Sequence, residues 1–209
     1  AYAGVERLGC DLAELSGAKA CLDRIAEHAG QPAAPENPDG WVTGGGWYKG
    51  DFPGGYPDRH TLDAVAPHRP VYLINRDHHS AWVNTRALEL AGIDASTPDP
   101  ADGRIERGPD GFPSGTLHEG AMDLVARVLP PVTDQLLADG ILHAQDHLFS
   151  VGVTGWQEAI LGTYGGYPDA AAAYRSLASD GRLKARATGA LWVPRDSTVD
   201  SVPTLVDSF

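Results

Sequence analysis

Nowhere in these 209 residues does one histidine stand two places from another, no cysteines cluster, and no glycine-rich loop runs into the Lys-Ser/Thr that cradles phosphate. The commonest sequence marks of a metal centre, a zinc cluster and a nucleotide site are therefore missing. Basic residues are few: 16 Lys and Arg against 28 Asp and Glu give a formal charge of −12. Such a surface repels phosphate backbones and anionic lipid heads, so neither nucleic acid nor a membrane is expected as a partner. No apolar run approaches the ~20 residues of a membrane helix, and the first residues show no basic stretch followed by an apolar one. A cytoplasmic protein is the expectation. Cys10 and Cys21 are the only cysteines, and with Cys21 inside an expected helix they read as two reduced, packed thiols.

What is present is globular material. Hydrophobic residues make up 42% of the chain, enough to core one large domain or two small ones. Asp11 followed by Glu14 suggests an N-cap and capping-box partner for a helix over 11–29, stopped by Gly30 and Pro32. A short buried strand is expected at Trp41–Thr43 and a second at Val71–Asn75, with a Gly/Pro-rich loop at Tyr48–Pro57 between them. Asp77 or Ser80 is then expected to cap a helix carrying Trp82, Val83, Ala87 and Leu90 as far as Gly92, which would make a βα unit. The Pro-, Asp- and Gly-rich stretch at about 96–116 suggests a small hairpin excursion from a domain spanning 1–209. Helical spacing covers 117–128 and 132–149, strand character 151–156, helix 170–177 and strand 183–193, and a helix start falls at Val202-Pro203. Alternating elements of this kind predict an α/β fold with mostly parallel strands and outer helices.

Several residues could carry chemistry. Asp77-His78-His79 directly follows a buried strand, where a histidine can contact substrate, hold a metal or relay a proton; the alternative is a ring that merely caps a helix or bonds a loop carbonyl. Glu158 ends the Val151–Gln157 stretch, where a carboxylate could orient a catalytic group or serve a structural hydrogen bond. Gly44-Gly45-Gly46 permits close backbone approach, and Trp47 beside it could form an apolar pocket wall. His143 and His147 lie one helical turn apart, but Ala144 stands where a zinc helix needs its glutamate, so both are expected at the solvent edge of their helix.

Taken in order, Trp41-Val-Thr-Gly-Gly-Gly-Trp47, His60-Thr-Leu-Asp63, Arg69-Pro-Val-Tyr-Leu-Ile-Asn-Arg-Asp-His-His79-Ser-Ala-Trp-Val-Asn84-Thr-Arg-Ala-Leu88, Gly111-Phe-Pro-Ser-Gly-Thr-Leu117 and Gly152-Val-Thr-Gly-Trp-Gln-Glu158 resemble the YtcJ-like branch of the metal-dependent amidohydrolase superfamily. The resemblance implies a distorted TIM barrel and a hydrolase in which one or two divalent metals, zinc foremost, activate water against C–N bonds other than peptide bonds. It further implies metal ligands from an N-terminal His-X-His, a lysine, two later histidines and an aspartate. None of these falls on this sequence, so the expected fold is a partial TIM barrel, an internal fragment that holds no metal and is inactive alone. His79 is the candidate catalytic residue, and Trp47, His78, His79, Asn84 and Glu158 are candidates for contacting a small-molecule substrate. Asn84 is expected to fix the turn that carries His79. Sheet edges exposed in such a fragment would favour self-association. A stand-alone binding module and an unrelated α/β enzyme are the competing readings.

Overall fold

Val71-Tyr-Leu-Ile-Asn75 is buried at every position, as a strand covered on both faces must be. In the computed structural model, which describes residues 1–33, 37, 39–164, 166–193 and 197–207, this segment lies inside a six-stranded sheet. The chain divides into two compact units, one of Val5–Pro131 and one of Ala1–Gly4 with Val132–Phe209.

The Val5–Pro131 unit follows helix α1 (Tyr2–Leu8) with β1 (Cys10–Asp11), α2 (Ala18–Ala29), β2 (Val42–Trp47), α3 (Arg59–Val65), β3 (Val71–Asn75), β4 (Ser80–Val83), α4 (Thr85–Ala91), β5 (Gly103–Arg107), β6 (Pro113–Glu119) and the short α5 (Asp123–Ala126). Strand order is β1-β2-β3-β4-β6-β5. The first three strands are parallel and the other three join antiparallel, so the sheet is mixed and open. Cys10, Leu12, Cys21, Ile25, Leu62, Leu73 and Trp82 form one core cluster between β1–β4 and α2–α3. Trp47, Phe52 and Trp82 meet edge-on within it, with ring centroids 5.0–6.2 Å apart. At this density, truncating a buried tryptophan to alanine removes about 3–5 kcal/mol.

In the second unit, α6 (Asp134–Ser150), β7 (Gly155–Leu161), α7 (Ala171–Ser179), β8 (Arg186–Leu191) and α8 (Val202–Asp207) follow in order. Thr133 caps α6 by accepting from Leu136 N at 3.1 Å. Strands β7 and β8 pair in parallel across the α7 crossover, a βαβ unit with a sheet of its own.

Several expected elements are placed differently. Ser80–Val83 is a strand antiparallel to β3, and the following helix starts only at Thr85, because Ser-Ala-Trp-Val buries all four residues as a strand does. Asp77–His79 thus occupies a hairpin turn, not a βα turn. Residues 11–29 split into β1 and α2, since Asp11 pairs with Gly45 and its carboxylate accepts from Ala13 N at 2.9 Å in place of capping a helix. Gly44–Gly46 lies inside β2. A Cβ on Gly44 would run into Cys10 O, and Gly46 at φ 99° has Ala13 backbone where its Cβ would be, 2.7 Å away, so only glycine lets β1 come this close. Residues 117–128 are the end of β6 followed by α5, and β7 starts at Gly155, four residues after Val151. Helix α3 was not foreseen. The 96–116 hairpin exists as β5–β6, and β6 also pairs with β4, which makes the hairpin the continuation of the sheet.

Candidate functional site

Parallel strands β1, β2 and β3 point their carboxyl ends the same way, ending at Asp11, Trp47 and Asn75. The antiparallel partners bring the Arg76–His79 turn and Glu119, the last residue of β6, to that same end. There His79 Nδ1 lies 2.9 Å from Glu119 Oε1, with both side chains more than half exposed. A carboxylate at this distance can accept from Nδ1–H and so select the imidazole tautomer in which Nε2 carries the lone pair.

The turn beneath the ring is heavily braced. Asp77 Oδ1 accepts from His79 N at 2.9 Å and Oδ2 lies 3.2 Å from Lys49 Nζ. Burial works to raise the Asp77 carboxyl, but the bonds from His79 N–H and the Asn75 amide, with Lys49, outweigh it and hold it below its usual range. His78 adopts φ 64°, a left-handed conformation uncommon outside glycine, and its Nε2 lies 3.4 Å from Glu6 Oε2. Burial pushes His78 below the ordinary imidazole range despite Asp77 nearby.

One rung further in, Ser80 Oγ lies 2.8 Å from His118 Nδ1, and His118 Nε2 lies 3.0 Å from Glu106 Oε1. The chain of contacts has the composition of a nucleophile relay, but Ser80 is fully buried and no substrate could reach its oxygen. Burial lowers His118 against the pull of Glu106. This relay ties β4, β5 and β6 together.

Of the other expected site residues, Trp47 and Asn84 lie within the same unit but away from the His79 turn. Trp47 is 0% exposed and donates Nε1–H to Leu73 O at 2.8 Å, so it packs the core instead of walling a pocket. The aromatic that does reach the surface is the next residue, Tyr48, 55% exposed beneath the Arg76 guanidinium. Asn84 is also fully buried, and it caps α4 and braces the start of β3 through Val71 N, Ala66 O and Arg69 O. It does not touch the His79 turn, because β4 separates the two. That bracing falls to Asn75, the last residue of β3, whose signal in the sequence is a polar residue closing an apolar run just before a turn. Glu158 belongs to the other unit and stands inside β7, where its Oε2 accepts from Tyr174 O–H at 2.6 Å and contacts the Ala1 nitrogen. Burial raises the Tyr174 phenol and Glu158 adds to it. Beside them a 230 Å³ groove lies between α7 and the strands, lined largely by Leu161, Ala171, Ala178, Leu183 and Ala187. In α6 His143 is half-buried and His147 exposed, with Gln145 between them holding the Lys184 and Ala185 amides.

Among the described residues no three His, Cys, Asp or Glu side chains converge as a metal site, so the groups here do not fit a metal. Nor is any helix of the described residues long and apolar enough to cross a membrane.

Ligands of open α/β sheets commonly bind outside the carboxyl ends of the parallel strands, and the His79–Glu119 pair stands at that end of this mixed sheet. The chain belongs to the amidohydrolase family, matching it over residues 2–205. It is 33% identical to the protein named "Putative amidohydrolase YtcJ" of Bacillus subtilis (strain 168) over 184 residues, 88% of this chain and 34% of that protein. A shorter stretch of 69 residues, 33% of this chain and 13% of the relative, is 48% identical to the N-substituted formamide deformylase of Arthrobacter pascens. In fold it is similar to an uncharacterized metal-dependent hydrolase from Pyrococcus horikoshii OT3, with TM-score 0.53 and 20% identity over 91% of this chain and 34% of that one. The chain thus spans about a third of the length of YtcJ and of the Pyrococcus protein.

Proposed function

We propose that this chain supplies part of the barrel and the substrate-facing wall of a metal-dependent hydrolase acting on C–N bonds other than peptide bonds, N-substituted amides foremost. In this reading the two units are sectors of a partial TIM barrel. The divalent metal, zinc foremost, takes its ligands from outside the described residues, and the chain alone turns over nothing. The observation that carries the reading is the His79–Glu119 pair at 2.9 Å, presented at the carboxyl end of parallel strands in a chain of this family.

What these residues contribute follows from their chemistry. Glu119 accepts from Nδ1–H of His79 and leaves Nε2 as a lone-pair base, which accepts a proton first and can return that proton to the substrate only once the ring is imidazolium. His78 within the turn and exposed Tyr48 beside it offer contacts to the substrate's remaining groups. The test is turnover of a panel of N-substituted formamides and amides by a longer polypeptide that includes this chain. His79→Ala there is expected to lower kcat/KM by about tenfold to a thousandfold with little change in melting temperature. Full turnover by the variant, together with a melting temperature several degrees lower, would make the ring structural and end the proposal.

A further inference from the structure

Asn75 ends β3 with its side chain 2% exposed, a costly place for an amide unless every polar atom is used. It is used. Asn75 Oδ1 accepts from Ser80 N at 2.9 Å on the far side of the turn, its amide group bonds the Asp77 carboxylate, and its backbone oxygen accepts from His78 N at 3.0 Å. Asp77 in turn accepts from His79 N at 2.9 Å. One side chain thus closes the base of the hairpin and, through Asp77, holds the backbone of the residue that bears the ring. Position 78 stands at φ 64°, a strained conformation for histidine that persists only where its surroundings over-determine it.

We infer that Asn75 is a positioning residue for His79: by holding the Arg76–His79 turn through Ser80 N and Asp77, it sets the ring against Glu119 with Nδ1 protonated and Nε2 free. The inference rests on the reading of His79 as the substrate-facing group, but its physical content, the tautomer of one imidazole, is separate from that reading. Both halves of the amide are required. Leucine of similar shape offers neither donor nor acceptor, and aspartate would set a second carboxylate beside Asp77 where the amide now donates.

The test reads the ring directly. In the 209-residue chain with 15N-labelled histidine, at a pH above imidazole titration, His79 is expected to show predominantly the Nδ1–H tautomer. In Asn75→Leu the population is expected to move at least severalfold toward Nε2–H. Because a buried substitution can unfold the sheet, Asp77→Ala provides the second arm, as Asp77 is half exposed and its loss leaves the core intact. It removes the acceptor for His79 N and is expected to shift the tautomer in the same direction. In a longer polypeptide with activity, Asp77→Ala is expected to lower kcat about tenfold with KM unchanged. If the His79 nitrogen shifts are unmoved in Asp77→Ala, and in Asn75→Leu where that variant folds, the inference is overturned whatever the turnover. If the tautomer moves and turnover does not, positioning stands and it is the reading of His79 as a substrate contact that fails.

Discussion

At residue scale, the polar side chains of this fold divide by how completely they are used. Asn84 makes four hydrogen bonds: it accepts from Val71 N and Ala87 N, each at 3.0 Å, and donates to Ala66 O at 3.2 Å and Arg69 O at 2.9 Å. Truncation removes the amide from two backbone N–H groups and two carbonyls, all but the Arg69 contact buried, at about 1–3 kcal/mol per group left unpaired before relaxation. Since such losses do not add, Asn84→Ala is expected to destabilise the chain by about 2–4 kcal/mol, read as a lower urea midpoint at unchanged slope. A loss below about 0.5 kcal/mol would show that water replaces the amide. His79 is the opposite case. Its ring is mostly exposed and paired with Glu119, so removing it costs the fold little.

Among the elements, β1 and α2 meet through their cysteines. Cys10 and Cys21 are both fully buried in the core that joins the strand to the helix. Burial pushes the Cys10 thiol from near 9 up to about 12, so the folded state strongly prefers it protonated. An acid whose folded value is raised gives stability that is complete below the unfolded value and lost as pH climbs toward the folded one. Stability is therefore expected to fall between about pH 9 and 12, and to fall less steeply in Cys10→Ala. Equal slopes for the two proteins would assign the alkaline loss to other groups. The cysteines' reduced, packed state was legible in the sequence, as were β3 and the cores of α6 and α7, because continuous apolar runs and helical spacing state them without outside help. The β3–β4 hairpin was not. Ser80-Ala-Trp-Val reads equally well as the first turn of a helix or as a strand, and only β6, reaching it from more than thirty residues away, provides the second neighbour that makes it a strand. Asn84 and Asn75 changed roles with it: moving the helix start to Thr85 made Asn84 the cap and left Asn75 to close the turn. The family resemblance pointed to the His79 segment, but Glu119, forty residues on, could be matched to it only by the register of β4 against β6.

At the scale of the whole molecule, the two units hold very different amounts of sheet. In the first, β3 has strands on both sides and five buried residues. In the second, β7 and β8 pair only with each other among the described residues, so each is an edge, and no residue of either is fully buried. A two-stranded sheet stands on its packing against α7, with two rows of backbone groups left for water or for another strand. The edge strand β5 is blunted by Arg104, Glu106 and Arg107, whereas β7 carries a single charge, Glu158, which is bonded to Tyr174. We expect hydrogen exchange to separate the units. Amides of β3 should open only with global unfolding, and amides of β7 and β8 should exchange at least about a hundredfold faster by local opening. If the proposal of a barrel sector is right, those edges are covered when the rest of the polypeptide is present, and protection of β7 and β8 should rise there toward that of β3. Raising the concentration of the 209-residue chain alone tests the other occupant: protection of β7 and β8 that grows with concentration would mean that copies of the chain pair edge to edge. Protection equal to that of β3 in dilute isolated chain would contradict both, and would show that the βαβ unit is stable without a third strand.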